Sequence, residues 1–137
     1  MNFEIASMIA HDYDALMQLW SLCEGIGYES RDSFRRFLER NPGMSVTAWK
    51  NGGIVGAVLC GHDGRRGYLY HLAVHPDHRR EGIGEALVEK CIDRLSEYGI
   101  NRCSVFVYND NDSGLEFWKS IGWRLRDDLQ VLARDFK

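Results

Sequence analysis

Apolar residues recur along the chain with two different periods, and each period predicts one kind of element. Helical spacing (i, i+3, i+4, i+7) first appears after Asp12, where Tyr13, Leu16 and Trp20 share one face. The same spacing returns in three later segments. We therefore predict four helices, which follow Asp12, Ser30, the glycines at 82–84 and the polar turn at 109–113.

Period-two alternation and short apolar runs predict about seven strands. They cover residues 2–7, 44–50, 53–61, 68–74, 102–108, 123–125 and 129–133. Asn51-Gly52 is a strong hairpin signal, so three consecutive antiparallel strands are expected in the middle of the chain. The strand, helix and strand between 68 and 108 predict a right-handed parallel crossover. The predicted fold class is α+β, with one mixed, mostly antiparallel sheet.

Length and charge narrow the class of protein. At 137 residues the chain is long enough for one domain, predicted to cover 1–137. The net charge of −3 gives no general attraction to nucleic acid or to an anionic membrane, and neither partner is expected. No signal peptide or long apolar run is present, and the four cysteines lack Cys-x-x-Cys spacing. A cytoplasmic protein with buried free thiols is therefore expected.

The most informative stretch is residues 68–87, where a strand is followed by a basic turn and then by an amphipathic helix. Backbone amides at the start of a helix have no intrahelical acceptor, and the helix dipole adds positive charge there. Gly82 and Gly84 carry no side chain that would keep an anion from these amides, and Arg79 or Arg80 adds a charged contact. Phosphate oxygens are the expected ligands.

The same turn resembles a known signature. Residues 74–84, Val-His-Pro-Asp-His-Arg-Arg-Glu-Gly-Ile-Gly, are similar to the Gln/Arg-x-x-Gly-x-Gly/Ala motif of the GNAT acyl-coenzyme A-dependent N-acetyltransferases. Residues 111–123 resemble the second motif of that family, Asn-x-x-Ala-x-x-x-Tyr-x-x-x-Gly-Phe. The resemblance is to small, single-domain bacterial members and spans nearly the whole chain. It implies an enzyme with the GNAT fold, in which two splayed strands flank the acyl-coenzyme A site.

The resemblance also implies acetyl-coenzyme A as the acyl donor and assigns residues to it. The implied contacts come from the end of the strand, the whole turn and the second motif: Leu72, Ala73, Val74, Arg79, Arg80, Glu81, Gly82, Ile83, Gly84, Asn111 and Trp118. The backbone amide of Leu72 is placed to polarise the thioester carbonyl, which is stabilisation of an oxyanion by a backbone dipole. Asn111 is expected to bind the pantetheine arm, to cap its helix, or to do both.

The resemblance does not assign the group that removes the proton from the substrate amine. An amine is mostly protonated at neutral pH, so a base or a chain of waters must take its proton. Period-two alternation places Tyr68, Tyr70 and Leu72 on one strand face and His71 on the other. The candidate bases are His71 and, through water, Tyr70. A packed, non-catalytic histidine is the alternative for His71.

The general acid is also open, because Trp118 stands where relatives usually carry a tyrosine. Indole cannot usefully protonate a leaving thiolate, and a thiol with an ordinary pKa near 8.5 leaves tolerably without help. Tyr108 is the substitute candidate for the acid, with a pocket wall as its alternative role. Trp118 itself is expected to pack against the pantetheine arm or in the core.

The paired motifs predict transfer of an acetyl group to a primary amine of a small molecule, an amino acid or a peptide, by direct attack on the thioester. The loop at 25–30 and the turn at 61–67 are expected to form the substrate wall. Tyr28 and Glu29 on that loop are candidates for steering a cationic amine.

Two other functions stay open at this point. Relatives often carry a basic or acidic side chain at the positions of Tyr68 and Tyr70, and no carboxylate stands there in this chain. This lack, together with Trp118, favours a coenzyme A-binding regulatory module with little turnover. The third option is an acetyltransferase for protein N-termini or lysines.

The spacing of the histidines does not match a zinc pattern, and no metal is predicted. Exposed edges of the last strands could pair in a homodimer.

Overall fold

The computed structural model describes residues 2–137, which form two compact units. The first unit ends at Phe106 and holds five strands and three α-helices. The second unit, Val107–Lys137, holds a fourth α-helix. The four predicted helices are therefore confirmed. One domain across 1–137 stays a prediction.

A five-stranded sheet forms the centre of the first unit, with its strands in chain order. Strands β1 to β5 cover Glu4–Ser7, Val46–Lys50, Gly53–His62, Gly67–Val74 and Cys103–Val105. Strands β1 to β4 pair antiparallel with one another, and β5 runs parallel to β4, which confirms the α+β class and its mixed sheet. The hairpin between β2 and β3 turns at Asn51 and Gly52, whose φ angles of 53° and 79° are positive as a two-residue turn requires.

The helices of the first unit begin where the sequence indicates. Helices α1, α2 and α3 span Tyr13–Ser21, Arg31–Arg40 and Ile83–Glu97. The side chain of Ser30 accepts a hydrogen bond from the Ser33 amide (3.1 Å), so Ser30 caps α2 as predicted. On one face of the sheet, the two N-terminal helices share a buried cluster with β3 and β4 that includes Leu16, Trp20, Phe34, Leu59 and Ala73.

Helix α3 packs on the opposite face, against two strand positions that have no side chain. A Cβ on Gly56 would lie 2.9 Å from Ile83 Cγ2, and one on Gly67 would lie 2.6 Å from Leu95 Cδ1. Both distances are shorter than a normal contact, so glycine lets α3 approach β3 and β4 closely. This packing holds the parallel connection from β4 through α3 to β5.

Strand β4 is irregular at its centre. Its pairing with β5 runs from Gly67 to Leu69 and stops there. On its other side, the register with β3 shifts, and His71 and Leu72 together lie opposite Val58 alone. Since His71 has a φ of 55°, in the left-handed region, these two residues form a β-bulge.

The second unit has helix α4, Asp112–Ser120, and no strand among its residues. The prediction of about seven strands is therefore wrong, because residues 123–125 and 129–133 do not pair. In the second of these segments the apolar side chains lie mostly in solvent: Leu129, Val131 and Leu132 are 61%, 73% and 93% exposed. Alternation alone cannot hold a strand that has neither a neighbouring strand nor a buried face.

The cysteines are free, as predicted, although Cys23 and Cys103 are half-buried and only Cys60 and Cys91 are buried. A hydrogen bond with Cys60 and burial raise the pKa of Cys91, and burial raises the pKa of Cys103 to about 12. These thiols therefore stay protonated and unreactive. Within residues 2–137, no helix is long and apolar enough to span a membrane.

Candidate active site

Strand β4 has a free edge beyond Leu69. The pairing with β5 ends at Leu69 and Val105, whereas β4 continues to Val74. Within residues 2–106, no other strand pairs with β4 on this side. Backbone N–H and C=O groups on the free edge of residues 70–74 can therefore bind an extended ligand as an added strand would be bound.

The bulge decides which side chains lie beside this edge. Tyr70 packs edge-on against Phe37 of α2, with ring centroids 5.9 Å apart. His71 packs against Trp20 of α1, with centroids 5.1 Å apart. Both side chains thus face the N-terminal helices, and the prediction that His71 lies on the opposite face from Tyr70 is wrong. Alternation fails here because a bulge puts two residues opposite one.

A carboxylate reaches His71 from the loop between α1 and α2. Glu29 Oε1 lies 3.1 Å from His71 Nε2, and the two side chains are only 18% and 19% exposed. The hydroxyl of Tyr13 donates to the carbonyl of Glu29 at 2.6 Å, which holds the loop against α1. By contrast, Tyr28, the other predicted substrate residue, is 79% exposed.

Three aromatic rings lie together along the paired and free parts of β4. The rings of Tyr68, Tyr70 and Phe106 have centroids 6.3 to 6.4 Å apart. Burial raises the pKa of Tyr70, so its hydroxyl stays protonated and is a poor proton acceptor. Phe106 was not a predicted site residue. In the sequence, only its place near the end of a predicted strand indicated that Phe106 could lie close to the site.

The turn before α3 presents unpaired backbone amides. Gly82 is the N-cap, with a φ of 82°, and no side chain of the described residues caps the helix. The first amides of α3 therefore remain available, and the positive end of the helix dipole adds to their attraction for anions. The left-handed conformation of Gly82 favours glycine at this position. Binding of a pyrophosphate by these donors stays a prediction.

The charged side chains of the turn differ in their surroundings. Arg79 Nε donates to the carbonyl of Val74 at 3.1 Å, which fastens the turn to the end of β4. Glu81 bonds to Lys50 at 2.8 Å, and this hydrogen bond lowers the pKa of Glu81. Arg80 is exposed, with a left-handed φ of 65°. Contact of Arg79 or Arg80 with a phosphate stays a prediction.

The second unit carries the other predicted site residues. Asn111 accepts a hydrogen bond from the Gly114 amide at 3.0 Å, so its role as the cap of α4 is confirmed. Trp118 is 7% exposed and packs on Trp123, with ring centroids 4.6 Å apart. Tyr108 is 66% exposed. The contacts of these residues with a cofactor stay predictions.

Known proteins resemble this chain over most of its length. Residues 13–123 match the family model described as acetyltransferase (GNAT) family. An acetyltransferase of Pectobacterium atrosepticum is 32% identical over 133 residues, which are 96% of this chain and 94% of that protein. An acetyltransferase of Sodalis glossinidius is 28% identical over 125 residues, covering 90% and 88% of the two chains.

Solved structures share the fold. The PaiA N-acetyltransferase of Thermoplasma acidophilum, in complex with coenzyme A, has a TM-score of 0.81 at 18% identity, over 93% of this chain and 92% of that one. The ribosomal-protein-S18-alanine N-acetyltransferase of Escherichia coli has a TM-score of 0.75 at 24% identity, over 88% and 76%. At such identities the similarity concerns the fold alone.

Proposed function

Because this chain belongs to the GNAT family of acetyltransferases, which use acetyl-coenzyme A, we propose that it acetylates a primary amine of a small molecule, an amino acid or a peptide. The observation that carries the proposal is the free edge of β4 beside the uncapped start of α3. The free edge can bind an extended arm, and the helix start can bind an anion. The four free cysteines support a reducing compartment, the cytoplasm, as its location.

In this proposal, backbone groups of Leu72, Ala73 and Val74 bind the pantetheine arm, and the amides from Gly82 to Gly84 bind the pyrophosphate. The bulge supports a special role for Leu72, because a bulge disrupts the hydrogen-bond ladder at its position and leaves a residue unpaired. The amide of Leu72 stabilises the negative charge that develops on the thioester oxygen. Binding and activation of the acyl donor thus fall mainly to the backbone.

The leaving thiolate needs little help from the protein. Trp118 packs with Trp123 and supplies no acid. Tyr108, whose side chain is exposed, is our candidate for protonating the thiolate. Since a thiolate is a tolerable leaving group, we expect loss of the Tyr108 hydroxyl to slow the reaction only modestly.

The test is release of coenzyme A thiol by the purified full-length chain with acetyl-coenzyme A and a panel of amines. The panel contains small amines, free amino acids and peptides with a free N-terminus or a lysine, and products are identified by mass spectrometry. We expect acetylation of at least one class. Failure to bind acetyl-coenzyme A would contradict the proposal, whereas tight binding without turnover of any amine would favour a regulatory module instead.

A further inference from the structure

The pair of Glu29 and His71 joins two side chains that are each about four-fifths buried. Burying a carboxylate and an imidazole is unfavourable unless they are paired, so the loop between α1 and α2 and the bulge of β4 must be held together at this point. His71 also keeps a left-handed φ of 55° without being glycine. Such backbone strain persists where surrounding contacts over-determine it, and it is concentrated at functional sites.

We propose, on the basis of the proposed acetyl transfer, that His71 is the base that takes a proton from the acceptor ammonium group and that Glu29 is its positioning residue. His71 directly precedes Leu72, whose amide is proposed to face the thioester, and the two residues form the same bulge. A base at this point of the free edge is therefore next to the carbonyl that the amine attacks.

The hydrogen bond with Glu29 selects the tautomer of the imidazole. An ionised carboxylate only accepts hydrogen bonds, so the proton of a neutral His71 is on Nε2 and Nδ1 carries the free lone pair. Within residues 2–137, Nδ1 has no protein partner, and it is not among the polar atoms sealed from solvent. Glu29 thus leaves Nδ1, the nitrogen without a protein partner, ready to accept a proton.

Among the described residues, one side chain makes a hydrogen bond with the imidazole and one makes an aromatic contact with it. Glu29 faces it from the loop and the uncharged indole of Trp20 faces it from α1. Along β4, the nearest titratable side chain is Tyr70, which burial keeps protonated. Glu29 is therefore the charged group that faces His71, and the stacking on Trp20 fixes the plane of the ring.

The proton balance of the step is simple. One N–H bond of the ammonium group breaks, and its proton passes to His71 Nδ1, directly or through one water. The freed lone pair forms the C–N bond while the C–S bond breaks. The departing thiolate takes a proton from its acid, for which Tyr108 is the candidate, and the second proton of the nitrogen restores that acid. The products are the amide and the thiol, and His71 returns its proton to solvent.

The test compares the full-length chain with His71→Asn, Glu29→Gln and the control Glu24→Gln, which changes an exposed carboxylate of the same loop. Asparagine tolerates a positive φ, so His71→Asn removes the imidazole and spares the bulge. For each protein we measure kcat/KM against pH and the affinity for acetyl-coenzyme A. In the wild type and in the Glu29 and Glu24 variants, we also record the imidazole ¹⁵N shifts of His71, which report its tautomer.

For His71→Asn we expect a loss of roughly 10²- to 10⁴-fold in kcat/KM, an acidic limb missing from the pH profile, and unchanged affinity for acetyl-coenzyme A. Glu29→Gln should mix the two tautomers and lower kcat/KM by roughly 10- to 100-fold, as loss of such outer partners does elsewhere. Glu24→Gln should behave as the wild type.

Each failure points to a different conclusion. If the wild type acetylates an amine and His71→Asn keeps its rate and its pH profile, the base role is overturned while the proposed function stands. If Glu29→Gln keeps a pure Nε2–H tautomer and full activity, the positioning role of Glu29 is overturned. A wild type that acetylates no amine overturns the proposed function, and the base role with it.

Discussion

Residues 67–69 and residues 70–74 belong to the same strand, β4, but only the first segment is paired on both sides. Leu69 in the first segment is fully buried, whereas Tyr70, His71 and Leu72 in the second are half-buried. The first segment anchors the strand in the sheet, and the second presents backbone and side-chain groups at a free edge. The same strand is thus scaffold over one half and candidate site over the other.

If this division is right, Leu69→Ala should have the largest effect on stability. Leu69 is 0% exposed, and removing its side chain leaves a cavity that costs about 2–5 kcal/mol. Unfolding in urea measures the loss, and Leu72→Ala, at a half-buried position, should lose less. Acetyl-coenzyme A affinity of folded Leu69→Ala should match the wild type. A large loss of affinity would mean that the two halves are not separable.

For Leu72→Pro, in residues 70–74, we expect a large loss of activity in a protein that still folds. Proline removes the amide that we assign to the thioester oxygen, so kcat should fall roughly 10²- to 10³-fold. Circular dichroism and acetyl-coenzyme A binding check that the fold and the site survive. Leu72→Ala keeps the amide and is the matched control. If Leu72→Pro keeps the kcat of the wild type, the Leu72 amide does not stabilise the thioester oxygen.

A smaller effect is expected for Gly82→Ala at the turn that follows the free edge. A non-glycine residue in the left-handed region costs about 1–2 kcal/mol, so acetyl-coenzyme A should bind roughly 10-fold more weakly. Gly64→Ala introduces similar strain at a φ of 93° in another turn, with open space around the new methyl group. Equal affinities in the two variants would show that the turn before α3 does not bind the acyl donor.

The smallest effect concerns the ion pair that fastens this turn to β2. The hydrogen bond from Lys50 lowers the pKa of Glu81 below its usual 4.5. A lowered carboxyl pKa contributes stability at neutral pH that is lost as the pH falls through the acidic range. Lys50→Met should therefore flatten the acid side of a plot of unfolding free energy against pH, slightly and less at high salt. An unchanged acid side would mean that the pair adds nothing.

Local signals in the sequence predicted the elements whose causes are local. Ser30 caps α2, and Asn51-Gly52 forms the hairpin, because a cap and a two-residue turn depend on a few adjacent residues. Residues 129–133 alternate as a strand would and yet form none, because a strand needs a partner that its own residues cannot supply.

The candidate site also has one part that local sequence predicted and one part that depends on distant segments. The glycine turn before α3 was predicted from its spacing, since the donors and the residues that position them are neighbours in the chain. The aromatic group that includes Phe106 required β4 and β5 to come together. The side chains beside the free edge therefore could not be predicted from any one segment.

By itself, the sequence determined the family, the acyl donor and the turn that opens α3, because each depends on motifs that adjacent residues carry. Only the tertiary structure decided that β4 bulges at His71 and that Glu29, 42 residues away, meets its imidazole. A bulge shows in the register with a neighbouring strand, and a buried pair forms when a loop folds back onto the sheet. Both depend on packing between distant segments, which no local pattern encodes.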